Sequence, residues 1–134
     1  MEELLKITGL QAEFKTERAI VYALNGVDLT IYKGESLGLV GEAGAGKTTT
    51  ALSTLNLLPQ PAGKFTGGDI RYHGKSVFSM KEKELEHMRG NKIAMIFQNP
   101  LTALNPVFTV GEQIAMVLRK HAGIRSRYHF LLIW

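Results

Sequence analysis

Eight consecutive residues, Gly41, Glu42, Ala43, Gly44, Ala45, Gly46, Lys47 and Thr48, are spaced to hold a chain of phosphates. They fit the pattern G-x-x-x-x-G-K-[ST], and each position has a chemical reason. Gly41, Gly44 and Gly46 let the backbone turn tightly and bring its N–H groups close to a polyanion. Glu42, Ala43 and Ala45 fill the variable positions, where the backbone N–H is the useful group. Lys47 sets a cation against the outer phosphates, and the Thr48 hydroxyl is a hard oxygen ligand suited to Mg2+. Thr49 adds a further free N–H at the start of a helix, where the dipole also favours an anion. At ordinary glycine usage a chance match in a chain this long is roughly one in a few hundred.

Such a cradle works only between a strand that delivers the chain and a helix that opens on the ligand. Residues 36–40, Ser-Leu-Gly-Leu-Val, form the short apolar run of a strand buried in a parallel sheet. From Lys47 to about Leu58 the spacing predicts a helix with Ala51, Leu52, Leu55 and Leu58 on one face, stopped by Pro59 and Pro61. Upstream, Leu10, Ala12 and Phe14 alternate with polar neighbours, as do Val27, Leu29 and Ile31, which predicts two strands. Residues 15–18 and 33–35 are the turns around them. Downstream, Gly63, Gly67 and Gly68 frame a loop, residues 69–72 read as a strand, and Gly74 marks the next turn. Ser79 and Glu82 have capping-box spacing for a short helix ended by Gly90. Residues 93–97 are a second buried-type strand, followed by a loop with Pro100 and Pro106. Thr109 and Glu112 cap a last helix, with Val110, Ile114, Val117 and Leu118 on its apolar face.

The whole chain, 134 residues with 45% apolar and 21% charged residues, has the size and balance of one globular domain. It contains no cysteine, which excludes disulfides and thiolate metal sites. Its first residues, Met1, Glu2 and Glu3, are acidic where a signal peptide is basic. The longest apolar run, residues 130–134, is far too short to span a bilayer, so a protein not integral to a membrane is expected. The net charge of +4 comes entirely from Arg119, Lys120, Arg125 and Arg127, since 12 basic and 12 acidic residues balance up to Glu112. A short basic tail without a stacking platform is a weak nucleic-acid footprint, and nucleic acid is not an expected partner.

From Leu4 to about Gly123 the chain resembles the N-terminal half of an ABC transporter ATPase, of the oligopeptide/dipeptide importer group. The resemblance is carried by GESLGLVGEAGAGKTTTALSTLNLLP (34–59), GGDIRYHGKSV (67–77) and, most diagnostically, RGNKIAMIFQNPLTALNPVFTVGEQI (89–114). It implies an α/β fold of the P-loop NTPase type, with an antiparallel β subdomain plus an incomplete parallel-sheet core up to about residue 98. A Q-loop and the start of a helical subdomain would cover 98–123, with an off-pattern tail over 124–134. ATP and Mg2+ are the implied cofactors. The implied partners are membrane permease subunits and a second ATPase subunit, met at the cytoplasmic face of the membrane. The implied function is coupling of ATP binding and hydrolysis to import, with peptides as cargo.

Residue by residue, the resemblance places Gln98 at the Q-loop glutamine, where it would join Thr48 at the Mg2+ and orient the attacking water. The alternative is that Gln98 merely ends a strand. Phe14 matches the aromatic that stacks on adenine, and Tyr22 is a less well-aligned candidate; Phe14 reads equally as a core residue of an alternating strand. The loop from Pro100 to Pro106 would face the permease. Ala43 and Ala45 stand where serines are common, and Asn99 where an acid is usual.

Residues 1–134 include no LSGGQ-type signature, no apolar strand ending in Asp-Glu and no switch histidine. Hydrolysis by this chain alone is therefore expected to be absent or negligible, and the off-pattern tail suggests a truncated product. The alternative function is a non-catalytic nucleotide-binding module that docks on the permease. A GTPase would need N/T-K-x-D to read guanine, and Asn91-Lys92-Ile93-Ala94 lacks the aspartate. A small kinase would need an arginine-rich lid, and none is present.

Overall fold

The computed structural model describes residues 2–99 and 103–123, in two compact units, Met1–Arg89 and Gly90–Trp134. The expected tail at 124–134 and Pro100 in the expected permease-facing loop lie outside the described residues.

The first unit is built on a four-stranded antiparallel sheet in the order β2-β1-β3-β4. Its strands are β1 (Glu3–Lys15), β2 (Ile20–Tyr32), β3 (Gly63–Tyr72) and β4 (Lys75–Ser76). Both predicted turns appear. Thr16 closes the first, its N–H donating to the Ala19 carbonyl at 2.9 Å. In the second, Gly34 takes φ 78° and the Tyr32 N–H donates to the Glu35 carboxylate at 2.8 Å.

β3 is ten residues long where residues 69–72 were expected, because Gly63, Gly67 and Gly68 lie inside it rather than in a loop. The cause is a bulge in β1. Ile7 faces Leu29 and Leu10 faces Val27, so one extra residue is accommodated between them, and β3 shows the same shift. Gly9 takes φ 54° at the bulge, and its N–H donates to Asp28 Oδ1 at 2.8 Å. Gly68 crosses so close that a Cβ there would lie 2.4 Å from the Gly9 carbonyl oxygen. The extra residue also switches which side chains of β1 face inward, from Leu5 and Ile7 to Leu10 and Ala12.

Those four residues, with Leu24 and Ile70, form the buried face of the sheet. The core is completed by Leu55, Leu58, Val77, Leu85 and Met88, from a helix α1 (Lys47–Thr54) and its exit, a 3-10 turn (Val77–Ser79) and a helix α2 (Glu82–Met88). α2 starts later than Ser79 suggested. Ser79 lies in the 3-10 turn, and the backbone N–H of Lys81 is capped by the Glu84 carboxylate at 3.0 Å.

Asp69 ties β3 to β4. Its carboxylate accepts from the Ser76 hydroxyl at 2.5 Å, the Arg71 Nε at 2.9 Å and the Ile70 N–H at 2.9 Å. Burial works against the charged form, but the hydrogen bonds from Ser76, Arg71 and Ile70 outweigh it and hold the pKa below its ordinary value of 3.8. A depressed carboxylate stabilises the fold above its ordinary pKa and loses that contribution as pH falls through the folded value. The stability gap between wild type and Asp69→Asn is therefore expected to shrink as the pH is lowered from about 6 towards about 2. Urea unfolding at both pH values measures it, and an unchanged gap would contradict the assignment.

Among the described residues the expected incomplete parallel-sheet core has no parallel ladder. Residues 36–40 and 94–97 carry no strand ladder, and the sheet described is antiparallel throughout. Val40 is 94% exposed and Ile96 96% exposed. A parallel-type strand is apolar on both faces because neighbours flank it on both sides, and among the described residues no strand lies beside either segment.

The second unit carries α3 (Val110–Ala122). Its predicted capping box is present: the Thr109 N–H donates to Glu112 Oε2 at 3.0 Å, and the Glu112 N–H donates to Thr109 Oγ1 at 3.3 Å. Gln113 ties the preceding loop to the helix through the Asn105 and Phe108 carbonyls. No described helix is long and apolar enough to cross a membrane.

Candidate phosphate-binding site

The loop from Gly41 enters α1 through two left-handed residues, Gly44 at φ 84° and Gly46 at φ 81°. L side chains rarely adopt this conformation. At Gly46 a second constraint is added. A Cβ there would sit 2.7 Å from the Ala23 carbonyl oxygen and 2.9 Å from Leu24 Cδ2. Ala23 is the residue β2 leaves unpaired in its own bulge, since Leu24 faces Ala12 and Tyr22 faces Glu13. The start of α1 is therefore seated directly on the sheet's backbone. Sequence reasoning identified Gly46 for its torsion angle but not this contact, which joins residues 23 apart and leaves no local signal.

Gly46 is also the N-cap of α1, and as glycine it offers no side chain to the first-turn N–H groups. No acidic side chain occupies that turn either. The first intrahelical bond runs from the Thr50 N–H to the Gly46 carbonyl at 2.8 Å. Gly44, Ala45, Gly46, Lys47, Thr48 and Thr49 line a cavity of about 150 Å³. A small concavity walled by a helix N-terminus without a capping side chain has the polarity that suits an anion.

Lys47 is folded over the loop. Its ammonium donates to the Gly41 carbonyl at 2.5 Å and the Glu42 carbonyl at 2.6 Å. Among the described residues no carboxylate forms an ion pair with it. Two neutral carbonyls hold the cation beside the cavity, in contacts that phosphate oxygens could replace more strongly. At Gly41 a Cβ would lie 3.1 Å from Ala45 Cβ, so this part of the loop is tightly wound.

α1 is held by only part of the apolar stripe predicted for it. The helix ends at Thr54, and its buried residues are Thr50 and Ser53, with Leu55 and Leu58 buried beyond it. The hydroxyls of Thr50 and Ser53 are satisfied within the helix, donating to Gly46 O at 2.9 Å and Thr49 O at 2.6 Å. That internal bonding lets polar residues occupy a buried face.

Thr48 is exposed and Thr49 half-buried at the mouth of the cradle. Among the described residues no cluster of three or more His, Asp or Glu could hold a metal unaided. One hydroxyl is nevertheless a fitting protein donor for Mg2+, which usually takes its other ligands from phosphates and water.

Phe14 sits near the end of β1, facing Val21 on β2 and Gly63 on β3. Its ring lies over Gly63, where a Cβ would come within 2.9 Å of Phe14 Cε1. It is half-buried and lies two residues along β1 from Ala12, the partner of Leu24 on which Gly46 rests. Tyr22 is 72% exposed on β2. Gln98 is an exposed residue of the second unit.

The family model described as ABC transporter matches residues 24–132. The chain is 44% identical over 121 residues to the probable peptide ABC transporter ATP-binding protein y4tR of Sinorhizobium fredii, covering 90% of this chain and 36% of that protein. It is 45% identical over 121 residues to the oligopeptide transport ATP-binding protein OppD of Bacillus subtilis, covering 90% of this chain and 34% of that protein. The chain thus spans about a third of the length of these relatives. Among solved structures it resembles the dimeric bacterial ABC transporter cassette MJ0796, with a TM-score of 0.74 and 27% identity over 92% of this chain and 50% of that one. A dimeric structure of the same cassette bound to ADP and Pi gives a TM-score of 0.72 at 26% identity, with the same coverage.

Proposed function

The chain belongs to the ABC transporter family, and from that premise we propose that residues 41–49 hold the phosphates of Mg-ATP for an importer of peptides. The single observation that carries this is the seat of α1: a helix N-terminus without a capping side chain, glycine-lined, with the Lys47 ammonium held beside it on two replaceable carbonyls. Gly44 to Thr49 would give backbone N–H groups to the phosphate oxygens. Lys47 would exchange the carbonyls of Gly41 and Glu42 for the outer phosphates. Thr48 would give its hydroxyl to Mg2+, which neutralises the polyphosphate and fixes its geometry.

Gln98 is assigned to the Mg2+ and the attacking water, and Phe14 to the adenine. The signature, the Walker B carboxylates and the switch histidine correspond to no residue of the 134, and the proposal for these residues concerns binding. Permease subunits and a second ATPase subunit are the proposed partners, at the cytoplasmic face of the membrane. Peptide as cargo is supported by the names of the relatives.

The assignment of Phe14 separates cleanly from a purely packing role. If its ring stacks on adenine, Phe14→Ala weakens ATP binding about 5- to 150-fold, the range for loss of one base–aromatic stack. Binding of inorganic triphosphate, which has no base, then stays unchanged. Titration of both ligands into both proteins makes the test. Equal losses for the two ligands, with a lowered unfolding midpoint, would return Phe14 to the core over Gly63.

A further inference from the structure

We infer that Arg89 is a positioning residue for the phosphate loop, acting through the far end of α1. A helix of eight residues is about 12 Å long, so it moves as one body and a shift at one end displaces the other. Its N-terminal end is seated by Gly46 on Ala23 and Leu24 of β2. At the other end, beside the buried Leu55 and Leu58, one charged side chain binds the chain as it leaves the helix. The Arg89 guanidinium donates from Nε to the Leu55 carbonyl at 2.9 Å and from Nη2 to the Asn56 carbonyl at 3.1 Å. Its Nη1 donates to Glu82 Oε1 at 2.9 Å.

The three bonds use the planar fork that distinguishes arginine from lysine. They place a cation near the negative end of the α1 dipole, at the carbonyls of the two residues that follow the helix. Asn56 has left the helical path, with φ 52°, so the chain turns sharply here. Arg89 is anchored in its turn. It follows α2 directly, its N–H donates to the Leu85 carbonyl at 2.9 Å, and both Leu85 and Met88 are buried. Its own side chain is only 24% exposed. α1 is thus clamped between β2 and α2, and the clamp at the α2 end sets how far Lys47 and Thr48 project from the sheet.

The inference rests on the phosphate-site reading above, and the experiment separates the two. Backbone amide shifts of Lys47 to Thr50 and the affinity for Mg-ATP are measured on the full chain for wild type, Arg89→Met, Arg89→Lys and Glu82→Gln. The clamp predicts displaced amide shifts in Arg89→Met and a roughly tenfold weaker ATP affinity. It predicts partial recovery of both in Arg89→Lys, and affinity within about twofold of wild type in Glu82→Gln, whose carboxylate is 69% exposed. Unmoved Lys47–Thr50 amides in a folded Arg89→Met or Arg89→Lys protein would overturn the inference, as would wild-type ATP affinity in either. If Arg89→Met does not fold, Arg89→Lys decides. Failure of the wild type to bind ATP would sink the phosphate-site reading, while the amide shifts would still decide the role of Arg89.

Discussion

Gly46→Ala is expected to lower folding stability by about 2–5 kcal/mol and to abolish measurable nucleotide binding. Two costs combine. An alanine held at φ 81° loses about 1–2 kcal/mol relative to glycine. Its methyl group would also sit 2.7 Å from the Ala23 carbonyl and 2.9 Å from Leu24 Cδ2, an overpacking that typically costs about 1–3 kcal/mol. Leu24 is a core residue of the sheet, so it has little room to give. The chain can relieve the clash only by lifting the start of α1 off β2, which moves Lys47 and Thr48 together. Against a total stability of about 5–15 kcal/mol for an ordinary domain, the loss is large. Gly44→Ala makes a useful control, because Gly44 is also left-handed, at φ 84°, yet a Cβ there meets nothing within 4 Å. Urea unfolding of the two variants should therefore separate torsional strain from the contact with β2. Equal destabilisation by both would show that the seat on Ala23 contributes nothing.

Lys47→Ala is expected to do the reverse: to spare the fold and remove the ligand. The ammonium's present partners are two loop carbonyls, at an exposed site. Removing it should change stability by less than about 0.5 kcal/mol, as for other surface substitutions. A charge-assisted bond to phosphate is worth about 1.5–3 kcal/mol, so Mg-ATP affinity should fall about 10- to 150-fold. Lys47→Arg should not restore it fully, because a planar fork cannot occupy the point that a compact ammonium fills between Gly41 and Glu42. Raised salt should weaken ATP binding by the wild type more than by Lys47→Ala. Titration of nucleotide into each variant, with unfolding midpoints alongside, measures all of this.

The contrast between these residues shows what was legible in the sequence. The tight glycine turn of residues 41–48 and its lysine were, because their signals are local: torsion angles and a cation within eight residues. The paired strands β1 and β2 were legible from alternation, and the cap of α3 from Thr109 and Glu112, both local signals. The bulge at Gly9 was not, since its cause is Gly68 crossing from another strand. That one contact also hid the true length of β3 and the change of inward-facing side chains along β1. Of the stripe expected on α1, Leu55 and Leu58 are buried, but apolar spacing alone could not show Thr50 and Ser53 buried with them by bonding inside the helix. Residues 36–40 and 93–97 have the composition of buried strands, but composition states a preference for neighbours and cannot supply them. Arg89 gave no signal at all, as its partners Leu55 and Asn56 lie more than thirty residues away.

The most direct test of the central claim is a calorimetric titration of Mg-ATP into the purified 134-residue chain, beside Lys47→Ala. Saturable binding at a single site by the wild type, weakened at least about tenfold in a Lys47→Ala protein that unfolds at the same midpoint, is the predicted result. A folded wild-type chain that takes up no ATP, or a Lys47→Ala protein that binds it equally well, would contradict the assignment of residues 41–49.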